Sequence, residues 1–214
     1  MLSMPGGASW KMVLKKAVQK QVKNNLVLYF LVLVFFAAGI AAGAFTVDAL
    51  SSVQKEELVN YFQSFFTVLD QEPVQSAVIF KQSLINNSQF VILIWLLGIT
   101  VIGVPLILLI VGIKGFIVGF SVSFLVEGMG FKGLLFAVAA ILPQNLLIVP
   151  GIIAAAVLGI SFSISMLRRK KSKPKKSFTS ELAIYSINIL FTLFILLLGS
   201  LIEGYITPVF VKFF

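Results

Sequence analysis

The sequence predicts an all-α, polytopic membrane protein with about five transmembrane helices, and three observations carry that prediction. First, four long stretches, 26–45, 91–126, 134–167 and 184–201, are almost free of charge and are interrupted only by Lys114. Apolar runs of about 18 residues or more suffice to cross the ~30 Å hydrocarbon core of a bilayer. Second, the mean hydropathy is +1.05 and 59% of the 214 residues are hydrophobic. A soluble fold of that length could not cover so much apolar surface. Third, twelve of the seventeen basic residues lie beside the apolar stretches, in two clusters.

The chain divides into a basic amphipathic cytoplasmic segment, 1–25, and a single membrane domain, 26–214. Within 10–22, Trp10, Val13, Leu14, Ala17, Val18 and Val22 recur at helical spacing, opposite Lys11, Lys15, Lys16 and Lys20. That pattern predicts a helix lying in the inner-leaflet interface, against membrane lipids, with Trp10 as an anchor. Span 1 is expected over 26–46. Ala42-Gly43-Ala44 resembles a signal-peptide cleavage site, but the basic region before it and the apolar run are both too long for one.

An extracytoplasmic helical loop is expected over 51–88. Ser51 and Gln54 have capping-box spacing, and Leu58, Tyr61, Phe62, Phe65, Phe66 and Leu69 form an apolar stripe. Pro73 suits the start of a second loop helix carrying Val74, Ala77, Val78, Phe80 and Leu84. The pair packs on the outer face of the protein or on lipid; the sharper reading is a docking surface for a partner, anchored by Phe62, Phe65 and Phe66.

A continuous helix over 91–126 would be ~54 Å long, more than one crossing needs. Two breaks are available, Gly103 with Pro105 and Gly112–Lys114–Gly115. The second is favoured, because Lys114 can snorkel there to the cytoplasmic headgroups. Span 2 then covers 90–112 and a short span 3 covers 115–128. A Gly-rich outer turn holds Glu127 and Lys132. Span 4, 134–167, is bent at Pro143 and Pro150, and span 5 covers 182–202. The alternative makes 91–126 one broken crossing and 134–167 a hairpin.

Either way both basic clusters share one side. Lys23 and its neighbours precede span 1, and Arg168, Arg169, Lys170 and Lys171 open the basic loop 168–177. The positive-inside rule makes these topology anchors cytoplasmic, each stabilised by on the order of 1 kcal/mol near an anionic leaflet. This distribution argues against nucleic acid as the partner of the +9 net charge.

Few side chains offer chemistry. With no cysteine and no histidine, disulfides, thiol nucleophiles, serine–histidine dyads and the usual zinc sites are excluded. The eight acidic residues are scattered, so no catalytic residue, no cofactor and no metal site is expected. Pro143, Gln144 and Asn145 form the strongly polar notch of the apolar frame. Polar contacts between helices contribute about 0.6–2 kcal/mol each, though a substrate notch in a broken helix has the same appearance. Asp48, Glu127, Lys132 and Glu203 are expected at the outer interface, solvated or in an ion-pair cluster around Lys132. Glycines at 112, 115, 119, 128, 130 and 133 permit close helix approach, within the chain or between copies in a homo-oligomer.

A set of blocks recurs in order: Trp95-Leu-Leu-Gly98, Ile102-Gly-Val-Pro105, Lys114-Gly-Phe-Ile-Val-Gly-Phe120, Leu125-Val126 with Met129-Gly-Phe-Lys-Gly133, Leu142-Pro-Gln-Asn-Leu146 leading to Pro150, and Leu198-Gly-Ser200 to Glu203-Gly-Tyr-Ile-Thr-Pro208. In these the chain resembles stage II sporulation protein M of endospore-forming bacteria; the first 25 residues and most of the outer loop lie outside the likeness. The resemblance implies a non-enzymatic scaffold in the mother-cell membrane at the sporulation septum, acting in forespore engulfment. It also implies two peptidoglycan-degrading partners, stage II sporulation proteins D and P. The competing expectation is a permease-like subunit, with Gln144, Asn145 and Lys114 lining a path.

Overall fold

The computed structural model describes residues 25–60, 76–169 and 177–211. These residues are helical almost throughout, with no strand among them. Five helices among the described residues are long and apolar enough to cross a membrane, so the chain is a multi-pass membrane protein. Helix α1 is Leu26–Ala49, α2 is Ser76–Gly98 and α3 is Gly103–Met129. A short α4, Phe131–Ala140, precedes α5, Leu142–Arg169. Helix α6, Phe178–Leu201, runs on through a π-helical turn, Ile202–Ile206, into α7, Thr207–Val211.

The long apolar stretch breaks at 99–102, and not at Lys114 as the sequence suggested. Tertiary partners explain why. A helix end leaves its last carbonyls without intrahelical donors, and here other spans join the turn itself in meeting them. Tyr185 Oη donates to the Ile94 and Trp95 carbonyls at 3.2 and 3.3 Å. Thr100 Oγ1 caps Leu97 at 2.7 Å, and Ser163 Oγ donates to the Thr100 carbonyl at 2.6 Å. Pro105 then falls in the first turn of α3, where its missing N–H is harmless. Lys114 consequently sits near the middle of a spanning helix.

Two further boundaries move. Residues 76–88, expected as a second loop helix, are the first half of the spanning helix α2. The stretch 134–167 is not one bent span but two helices meeting at Ile141, with Pro143 in the first turn of α5. Gly130, between α3 and α4, has φ of 59°, a conformation that glycine adopts without strain.

Helix α5 is the centre of the bundle. Its small and branched residues, among them Ile152, Ala155, Ala156, Val157 and Ile160, are fully or almost fully buried against α2, α3 and α6. The outward faces are apolar, with Phe30, Leu190, Phe191 and Phe194 exposed, as lipid contact requires.

Helices α1 and α3 lie side by side and parallel. A Cβ at Gly39 would run into the Gly112 carbonyl, and one at Gly43 into that of Phe116. Reciprocally, Gly115 abuts the Phe36 carbonyl and Gly119 that of Ile40. Small residues at such seams let backbones approach closely enough for dispersion to hold the pair together. Glycines 115 and 119 are thus used within the chain.

The contacts also fix the sense of each crossing. Gly98 meets Gly159, and Thr100 meets Ser163, so α2 and α5 run together. Tyr185 meets Ile94 while Gly204 meets Phe80, so α6 runs against them. The start of α1, the 99–102 turn and the ends flanking the basic loop therefore lie at one end of the bundle. Arg168 belongs to that end and is exposed. Arg169 ends α5, whereas Lys170 and Lys171 lie outside the described residues, as do 10–22 and Phe62, Phe65 and Phe66.

At the opposite end, residues 52–60 form a helix opened by the expected capping box. Gln54 N–H donates to Ser51 Oγ at 3.3 Å, and Ser51 N–H donates to Gln54 Oε1 at 3.1 Å. Lys55 ties this helix to the end of α3 through a 2.7 Å ion pair with Glu127. Lys132 is exposed.

A polar cavity as candidate functional site

Between α2, α3, α5 and the π-helical turn lies a cavity of about 340 Å³. It occupies the half of the bundle away from the basic loop. Ser83 and Asn87 face it from one side of α2, one helical turn apart, and both are buried. Lys114 enters from α3, Gln144 and Asn145 from the first turn of α5, and Glu203 from the π-helical turn. The π-helical turn widens the helix by one residue, a distortion often found at functional sites.

A directed chain of hydrogen bonds crosses this space. Lys114 Nζ donates to Asn87 Oδ1 at 3.1 Å, and Asn87 Nδ2 donates to Ser83 Oγ at 3.2 Å. Ser83 Oγ in turn donates to Glu203 Oε2 at 2.5 Å. A cation and an anion are thus joined through two neutral side chains. The ammonium also lies 5.2 Å from the centroid of the Phe90 ring, close enough for a cation–π attraction. Charges within a membrane protein are costly unless paired or solvated, and they commonly mark functional sites.

The notch residues do what polar groups beside a helix break should do. Asn145 Nδ2 donates to the Ile141 carbonyl at 2.8 Å, capping the junction of α4 and α5. Gln144 Oε1 accepts the Thr207 hydroxyl at 2.6 Å, which ties α5 to α7. Pro143 starts α5 and does not line the cavity.

Sequence reasoning found Lys114, Gln144 and Asn145, though it placed Lys114 at the headgroups. It missed Ser83 and Asn87, which fell in the expected loop. Glu203, expected at the outer interface, faces the cavity instead. A signal was present: Ser83 and Asn87 stand four residues apart, just ahead of an apolar run, as one face of a helix requires.

A family model for stage II sporulation protein M matches residues 32–208, a stretch that holds the whole cavity. Comparison with curated proteins and with solved structures gives no match.

Proposed function

Because the chain belongs to the stage II sporulation protein M family, a family of sporulation-related membrane proteins, we propose that it is a non-enzymatic scaffold for septal peptidoglycan dissolution and membrane migration during forespore engulfment. In this reading it sits in the mother-cell membrane at the septum. There it holds wall-degrading partners, stage II sporulation proteins D and P, on its outer side. The observation that carries the proposal is the family match across nearly all of the membrane body. The outer segment supports it, since the Lys55–Glu127 pair anchors the helix leading towards Phe62, Phe65 and Phe66.

Pull-down of the full chain from cells entering sporulation tests the reading. Cell-wall hydrolases should co-purify, and the double substitution Phe62→Glu/Phe65→Glu should weaken their recovery while leaving membrane insertion intact. Unchanged recovery with the variant counts against the loop as docking surface.

One observation favours a second reading, a permease-like subunit: Lys114, Gln144 and Asn145 line the same cavity. Flux into proteoliposomes containing wild type or Asn145→Leu separates the two. A scaffold shows none in either, whereas a permease shows flux that the substitution changes.

A further inference from the structure

We propose that the cavity between α2, α3 and α5 binds a small zwitterion, whose anionic group meets Lys114 and whose ammonium meets Glu203. The proposal goes beyond the scaffold reading and does not rest on it. Charge balance selects the class of ligand. Among the described residues the site holds one cation and one anion, so a lone anion or a lone cation would leave a net charge within the membrane-spanning bundle. A zwitterion supplies both countercharges and adds no net charge.

Unused hydrogen-bonding capacity points the same way. An ammonium has three N–H donors, and Asn87 takes one of those of Lys114. Ser83 occupies Glu203 Oε2, which leaves Oε1 to accept from a ligand. Gln144 uses its oxygen on Thr207 and Asn145 uses its nitrogen on Ile141, so a donor and an acceptor remain at the wall. Lys114 is the deeper of the two charges, because Asn87 lies one turn further into the bundle than Ser83. A ligand from the outer side would enter anion first. Ile117, Val118 and Ile148 supply an apolar wall, and about 340 Å³ holds one or two amino-acid residues, near the lower limit of ligand pockets.

An amino acid or dipeptide has this chemistry, and so does an ethanolamine phospholipid headgroup. Binding is measured on the purified full chain in nanodiscs of phosphatidylglycerol alone. The probes are labelled L-alanine and L-alanyl-L-alanine, with acetate and methylammonium as single-charge controls. A parallel arm adds phosphatidylethanolamine and follows thermal unfolding.

Saturable binding of a soluble zwitterion, at least about tenfold tighter than either control and lost in Lys114→Met and Glu203→Gln, supports the site with a solute as occupant. Stabilisation by phosphatidylethanolamine alone, absent in Lys114→Met, supports it with a lipid headgroup as occupant. Should either charge variant fail to fold, Gln144→Leu probes the wall at the cost of the Thr207 bond but of no bond in the Lys114–Glu203 chain, and weakened binding is expected. The proposal is overturned by no saturable binding in either arm, by controls that bind as tightly as the zwitterions, or by binding that all three variants leave unchanged.

Discussion

Replacing Gly119 by alanine should loosen the α1–α3 seam, while replacing Gly112 should not. A Cβ at Gly119 would lie 2.7 Å from Ile40 Cα and 2.8 Å from its carbonyl carbon, besides colliding with the carbonyl oxygen. Ordinary contact needs 3.4–4 Å, and the obstacle is backbone, so the helices must part by roughly 1 Å. A gap of that size forfeits about a quarter to a half of each contact well of ~0.15 kcal/mol. With on the order of twenty atom pairs riding on the seam, the loss is about 0.75–1.5 kcal/mol, at the low end of the range for overpacking. At Gly112 the nearest atom to an added Cβ, the Phe35 carbonyl oxygen, is 3.8 Å away. Gly112→Ala should therefore be neutral or gain up to ~1 kcal/mol of helix propensity. Reversible unfolding in mixed micelles, followed by tryptophan fluorescence, measures both. Equal destabilisation by the two substitutions would refute the parallel glycine seam.

Lys114→Met should destabilise the bundle by about 1–3 kcal/mol, because it leaves the buried Asn87 Oδ1 without its donor and removes the countercharge of the half-buried Glu203. The double variant Lys114→Met/Glu203→Gln should recover part of that loss, read in the same unfolding assay. The cysteine-free chain also allows a clean topology test. Phe131→Cys and Ile102→Cys introduce thiols at exposed positions at opposite ends of the bundle. An impermeant thiol reagent added to intact cells should label the first and not the second; the reverse pattern would invert every assignment of faces.

The elements most legible in the sequence were those set by local pattern. Span 1, the last span and the Ser51–Gln54 cap follow from hydropathy and spacing alone. The break at 99–102 was not legible, because Tyr185 and Ser163, which satisfy its carbonyls, are distant in sequence. The glycine–lysine break looks better than the glycine–proline one, for its snorkelling lysine, until those partners are known. The start of α2 was hidden for a related reason. Ser83, Asn86, Asn87 and Gln89 make this the least apolar of the five spans, so its first half resembled a loop. Ser83 and Asn87 are tolerated because they face Lys114 and Glu203 across the cavity. Ser83 and Asn87 become legible as span residues only once their companions on other helices have been located.

The ion pair between Lys55 and Glu127 sets an order of events during biosynthesis. Lys55 emerges just after the first crossing, whereas Glu127 reaches the same side only when the third is complete. Until then Lys55 lacks this acceptor. A nascent chain stalled after two insertions would carry residues 52–60 without this clasp. Closure of this pair thus reports that membrane integration has progressed through the third span.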